Sequence, residues 1–358
     1  MSQLTALAGF DAKGPACFLL EMDGTRLLLD LGRGPDDGAR PDLAGVGPVD
    51  AVLISHGHAD HVGSLDWLDR VGNPPVYATA PVRALAQEAA LRDAGDLSAL
   101  RNIDGLAILT GPAGHAPGAV WIRIGGAGGL LYSGDYSAEG GLFPASPLPR
   151  AAAAVLDASY GADTADLVGQ RAELLAETGA RPCLLPAPPA GRGLDMALAF
   201  LDAGHEVEIC DHIRATAEIL TGHDGWLRPG GAGDLARLLA RAARLQRDSA
   251  LRGVMVAAGA NCGSGLSQHL GPRALATGVP VVLTGHVSRG SPAAAWLEQG
   301  RVTWRRWNVH PDRATLARML AQCGARHVMP AFASSAQRSA LASAFPATGW
   351  ATGPVLAW

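Results

Sequence analysis

The chain has 358 residues, 48% hydrophobic and 17% charged, with a net charge of −4 and a sequence pI near 6.2. This composition excludes an intrinsically disordered chain, and the acidic balance argues against a protein that holds a polyanion through a broad basic surface. The five cysteines, Cys17, Cys183, Cys210, Cys262 and Cys323, form no Cys-x-x-Cys pair, no apolar run is long enough to span a bilayer, and the first residues lack a signal-peptide pattern; the expectation is a cytoplasmic protein with free thiols and no membrane partner.

In chain order, residues 16–20 and 26–30 read as a hairpin around an Asp23-Gly24 turn. Short apolar runs at 52–54, 76–78, 106–109, 120–124, 130–132 and 153–156 predict further strands, with helical patterns at about 63–70 and 81–93. After Tyr160-Gly161 the rhythm changes to alternation: helix 164–178, strand 183–186, helix 193–203, strand 206–210, helices 212–221 and 232–247, strand 253–257. Such alternation predicts a parallel sheet covered by helices. Strand 280–284 extends it, residues 302–309 read as a strand leading to His310, Pro311 opens a helix to Cys323, and residues 326–332 return to a strand. The expected division is 1–160, an insert over 161–305, and 306–358 as the return to the first domain.

Residues Ser55-His56-Gly57-His58-Ala59-Asp60-His61 place three imidazoles and a carboxylate in one short loop after an apolar run. Burying these groups unpaired would cost roughly 1–3 kcal/mol each, so the loop is expected to bind a cation, and nitrogen plus carboxylate donors suit Zn²⁺ better than Mg²⁺ or Ca²⁺. Two more candidate ligands follow apolar runs in glycine-containing loops: His115 in Gly114-His115-Ala116-Pro117-Gly118, and Asp135 in Ser133-Gly134-Asp135. Metal-assisted hydrolysis requires an activated water and a charge that steadies the developing oxyanion, and two metals supply both.

The order Asp30, His56–His61, His115, Asp135 resembles the successive metal-site motifs of the metallo-β-lactamase superfamily. Leu156-Asp157-Ala158-Ser159-Tyr160-Gly161, the glycine-rich stretches 259–267 and 283–291, and Asn308-Val309-His310-Pro311-Asp312 resemble motifs of its β-CASP branch, most of all the bacterial RNA-cleaving enzymes and the endonuclease subunit of the polyadenylation machinery. The resemblance implies an α/β fold: an αββα sandwich with an inserted α/β domain whose sheet is mainly parallel. It implies one zinc on His56, His58 and His115, a second on Asp60 and His61, Asp135 as the bridge, and Asp30 as the acid that orients the cluster. It further implies metal-activated hydrolysis of single-stranded RNA, with Asp60, Asp157 and His310 as catalytic residues, His310 protonating the leaving oxygen and Asp157 orienting its ring. Ser264 and Gly265, ahead of a predicted helix, and His286, where the branch usually has an aromatic, are the expected substrate contacts. A homodimer is left open.

One position departs from that pattern. The branch closes its second zinc site with a histidine about 22 residues after the His310 equivalent, and Phe332 stands there. One zinc is therefore expected to be secure and the second weakened. The alternatives are a degenerate paralogue that binds RNA or a partner without cutting, a DNA nuclease, or a small-ester metallohydrolase of the same superfamily.

Overall fold

A computed structural model describes residues 2–178 and 181–358. The chain divides into two compact units: one comprises the stretch up to Ala138, Pro144–Thr164 and His310–Trp358, the other Glu139–Phe143 and Ala165–Val309.

The first unit is built on two sheets. One has seven strands in the order Val355–Ala357, Gln3–Ala8, Cys17–Met22, Thr25–Leu29, Ala51–Leu53, Val76–Ala78, Gly95–Asp96. The other has six, in the order His327–Ala331, Ala153–Asp157, Leu130–Tyr132, Val120–Ile124, Leu106–Pro112, Asn102–Ile103. The predicted hairpin forms with Phe18 opposite Leu29 and Met22 opposite Thr25, closed by Asp23 (φ 52°) and Gly24 (φ 87°) in the left-handed conformation that such a turn needs.

Side chains alternate between two buried faces along the central strands, which explains why their sequences are apolar on both faces. Cys17, Leu19, Leu28, Val52 and Ile54 pack outward against Val62, Leu65, Val82 and Leu91 of the covering segments. Phe18 points the other way and meets Tyr132 of the second sheet, with ring centroids 5.5 Å apart. On the far side, Leu131, Ala154, Leu156 and Val328 pack under Leu316, Met319 and Leu341, from helices Arg313–Cys323 and Ser335–Ala344. Helical layer, sheet, sheet and helical layer make the expected αββα sandwich. The strand Gln3–Ala8 had no clear sequence signal; its pairing with Cys17–Met22 and Val355–Ala357 places it.

The second unit is an α/β domain with a parallel sheet, as its alternation implied. Cys183–Ala187, Val254–Ala258, Val207–Cys210 and Ala243–Leu245 are parallel throughout. The short parallel pair Val282–Leu283 and Thr303–Trp304 joins through a bridge between Leu184 and Val281.

Four local readings change. The helix expected over 232–247 is Gly231–Arg241, and residues 243–245 form an edge strand instead. Leu245 pairs with Cys210 and is buried, a long-range contact that outweighs local helical periodicity. The pattern at 81–93 splits into helices Ala80–Leu85 and Ala89–Arg92 because Ala86 is extended, and residues 65–71 form a kinked 3₁₀ segment. The run 302–309 contributes only Thr303–Trp304 to a sheet.

Candidate metal centre

Parallel strands deliver functional side chains from their carboxyl ends. In the first sheet, Asp30 follows Thr25–Leu29 and His56 follows Ala51–Leu53, strands that pair in parallel. In the second sheet Asp135 follows Leu130–Tyr132, Asp157 ends Ala153–Asp157, and Phe332 follows His327–Ala331, again in parallel. Close approach between the sheets depends on Gly134, whose φ is +53° and where an added Cβ would lie 2.7 Å from Ser55 Cβ.

His56, His58 and His115 converge. His58 Nδ1 is 3.1 Å from His56 Nε2 and 3.1 Å from His115 Nε2. The edge of a tetrahedron with zinc–nitrogen bonds of about 2.0–2.1 Å is about 3.3 Å, so the donors are spaced as one small cation requires. Asp135 Oδ2 stands beside them, 3.4 Å from His115 Nε2 and 3.9 Å from His56 Nε2. Burial, followed by the neighbouring His61 and His58, holds the His56 pKa well below the usual histidine value. The imidazole is therefore neutral, the form that ligates metal.

A second group is formed by His56, His61 and Asp135. His61 Nδ1–H donates to Asp30 Oδ2 at 2.6 Å, which turns Nε2 toward Asp135 Oδ1 at 3.3 Å. In the neutral tautomer two acceptors face each other there, and only a proton or a metal ion relieves that arrangement. Asp135 Oδ1 is buried without a hydrogen-bond partner among the described residues. Burial opposes protonated His61, but the Asp135 and Asp30 carboxylates outweigh it and raise the His61 pKa well above the ordinary value. For Asp135, burial is outweighed by His61, His310, Lys13 and His115, and its carboxyl lies well below the usual range. The donor chemistry thus fits a metal ion at the three-histidine group and a cation of some kind at the second.

Asp60 is half-buried and belongs to none of the three convergent groups found among the described residues. At Phe332 the backbone is left-handed (φ 61°) and the ring is buried, with centroids 5.5 Å from His61 and 6.1 Å from Phe18. His327 sits at the opposite end of its strand, paired with Ala153, while Ala331 pairs with Asp157.

His310 joins a third group with His115 and Asp135. Its Nδ1 lies 2.8 Å from Asp157 Oδ2 and 3.7 Å from Asp135 Oδ2. Asp157 is fixed in turn: Oδ2 accepts from the Tyr136 N–H at 3.0 Å, and Oδ1 accepts from the Ser159 N–H and hydroxyl at 3.0 and 2.7 Å. The other ring nitrogen, Nε2, is 2.8 Å from Lys13 Nζ. Sequence reading passed over Lys13; the signal was its rarity, since it is the one lysine among the chain's 29 lysines and arginines. Tyr132 was also missed, and its hydroxyl donates to Asp30 Oδ2 at 2.5 Å.

Ser264, Gly265 and His286 belong to the second unit. Ser264 and Gly265 are exposed, three and two residues before helix Ser267–Thr277, and Gly265 has φ +61°, where an added Cβ would clash with the Ala258 carbonyl. His286 is exposed in the loop after Val282–Leu283.

Comparison with known proteins agrees with this geometry. The sequence profile described as the metallo-beta-lactamase superfamily matches residues 11–182. A rice protein named cleavage and polyadenylation specificity factor subunit 2 is 45% identical over 85 residues, 22% of this chain and 12% of that protein. A ribonuclease of Thermus thermophilus is 36% identical over 174 residues, 40% of each chain. A transcription termination factor, FttA, of Methanothermobacter thermautotrophicus is 40% identical over 93 residues, 24% of this chain and 15% of that one. The matches thus cover less than half the length of each of these relatives. The crystal structure of a protein of unknown function from Enterococcus faecalis is similar in fold, with a TM-score of 0.57, 14% identity, and coverage of 93% of this chain and 94% of that one.

Proposed function

We propose that this chain, which belongs to the β-CASP branch of the metallo-β-lactamase superfamily, is a zinc-dependent phosphodiesterase that hydrolyses single-stranded RNA. It is a metal-dependent hydrolase by family; zinc, RNA and the roles of individual residues are the proposal. The observation that carries it is the convergence of the His56, His58 and His115 nitrogens beside Asp135, next to the His310–Asp157 pair. The names of its relatives, a ribonuclease among them, support RNA as the substrate.

A zinc ion held by His56, His58, His115 and Asp135 would supply Lewis acidity and make water a nucleophile near neutral pH. Asp30 holds the His61 tautomer. Asp157 accepts from His310 Nδ1–H, which leaves Nε2 as the atom that gives up or takes a proton. His310 thereby serves as the acid for the leaving oxygen, Asp60 and His61 serve the second cation position, and Ser264, Gly265 and His286 contact the nucleic acid. Residues 165–309 would form the β-CASP insert. Among the described residues no helix is long and apolar enough to cross a membrane.

Cleavage of a labelled single-stranded RNA by the zinc-loaded protein tests this reading. His310→Ala is expected to lower the cleavage rate by roughly 10²–10⁴-fold, the usual range for loss of a general acid, with zinc content unchanged. Equal cleavage by wild type and variant would remove His310 from the mechanism; no cleavage by a zinc-loaded wild type, with RNA retained, would favour the non-cutting reading that Phe332 supports.

A further inference from the structure

A chain that otherwise uses only arginine as its permanent cation keeps one lysine, and that lysine is at the metal centre. Arginine offers a planar fork suited to surface pairs and flat acceptors, whereas the lysine ammonium is a compact point charge on a flexible stem. Among the side chains of this chain, it is the nearest imitation of a metal ion.

The surroundings of Lys13 bear this out. It lies in the loop between Gln3–Ala8 and Cys17–Met22. That loop is tied to the metal-site turn: the Ala16 N–H donates to the Asp60 carbonyl at 2.7 Å, and a Cβ on Gly14 would lie 2.9 Å from Asp60 Cβ. The Nζ is 2.8 Å from His310 Nε2. Burial favours the neutral amine, but the charges of Asp135, Asp60 and Asp157, with Tyr160, outweigh it and raise the Lys13 pKa above the ordinary lysine value.

Phe332 stands where the family pattern has the fourth ligand of a second metal, its buried ring 5.5 Å from that of His61, and Asp135 Oδ1, 3.3 Å from His61 Nε2, has no further hydrogen-bond partner among the described residues. We propose that Lys13 takes the place of the second metal ion, its ammonium supplying the positive charge that Asp60 and Asp135 would otherwise draw from a divalent cation. This rests on the reading of His56, His58 and His115 as a zinc site and gives the centre a stoichiometry: one metal ion and one fixed ammonium. An ammonium needs no histidine at position 332, because it is held by its own chain. Phe332 and Lys13 are thus a matched pair, and restoring either alone does not restore a second metal site.

The test uses the full chain and Zn²⁺ alone, read by titration calorimetry and by elemental analysis after gel filtration. Wild type, Lys13→Arg and Phe332→His are expected to hold one zinc per chain. The double variant Lys13→Met, Phe332→His is expected to hold two. Two zinc ions in wild type or in Phe332→His, or one in the folded double variant, would overturn the proposal.

A second readout needs no substitution. Protein labelled with [¹³Cε]lysine gives a single lysine signal, and one equivalent of Co²⁺ is expected to move it by a paramagnetic shift while leaving it in slow exchange with no free-lysine component. A signal at the free-lysine position that ignores Co²⁺ would overturn the assignment. Neither experiment involves nucleic acid, so a protein that meets both expectations yet fails to cut RNA refutes the nuclease reading and leaves Lys13 in its place.

Discussion

Both carboxylate oxygens of Asp30 are committed. Oδ1 accepts from the Ser55 N–H at 2.7 Å, and Oδ2 accepts from the Ser55 hydroxyl at 2.6 Å, His61 Nδ1–H at 2.6 Å and the Tyr132 hydroxyl at 2.5 Å. The residue is fully buried in the left-handed conformation, φ 59°, which aspartate tolerates better than most side chains. Asparagine keeps the shape but puts a donor where three donors already point. Asp30→Asn is therefore expected to weaken metal binding by roughly 10–100-fold, the range typical for partners that orient ligating histidines. Chelator competition with the purified protein measures this, and an unchanged affinity would show that the His61 tautomer is set elsewhere. At this scale the site was well legible: His56, His58, His61, His115 and Asp135 carry donor chemistry wherever they fall, and their short spacing announced it. Lys13 and Phe332 were harder to interpret, because an amine and an aromatic ring acquire meaning only from the residues that the fold brings beside them.

At the scale of elements, the loops leaving the strands set the geometry, and glycine sets the loops. Gly134 lets the Asp135 loop pass against Ser55, where a Cβ would come within 2.7 Å of another Cβ in a conformation with positive φ. Gly134→Ala is expected to destabilise the first unit by about 2–3 kcal/mol, through the clash and left-handed strain together. Urea unfolding followed by tryptophan fluorescence would measure it, and a loss below about 0.5 kcal/mol would show that the loop moves aside freely. Strands with continuous apolar runs were found from sequence because both of their faces are buried. The edge strand Ala243–Leu245 was read as helix because its burial comes from Cys210, more than thirty residues away in the chain, and local periodicity contains no record of such a partner.

For the molecule as a whole, each unit has its own core and its own buried charges. In the second unit Asp195 is 7% exposed, and burial pushes its carboxyl up to about 7, against the Leu142 N–H, Arg171 and Arg228, which pull it down. A carboxyl raised above its unfolded value favours folding while it is protonated. The contribution is full below about pH 4, fades as the pH rises toward 7, and is absent above that, a swing on the order of 2–4 kcal/mol. Wild type is therefore expected to lose more stability between pH 5 and pH 8 than Asp195→Asn, whose amide oxygen can still accept from Leu142 N–H. Urea melts of both proteins at the two pH values check the difference; parallel losses would place the pH dependence on other groups.

The sequence by itself determined the candidate donors, the family resemblance and the two architectural styles, because imidazole and carboxylate chemistry and the periodicity of burial are local properties. Tertiary structure alone decided which nitrogen of each histidine faces which neighbour, that Phe332 packs beside His61, and that Lys13, some 300 residues from His310, lies within hydrogen-bond reach of it. These are matters of distance between residues remote in the chain, and distance is set by packing of the sheets rather than by any single segment.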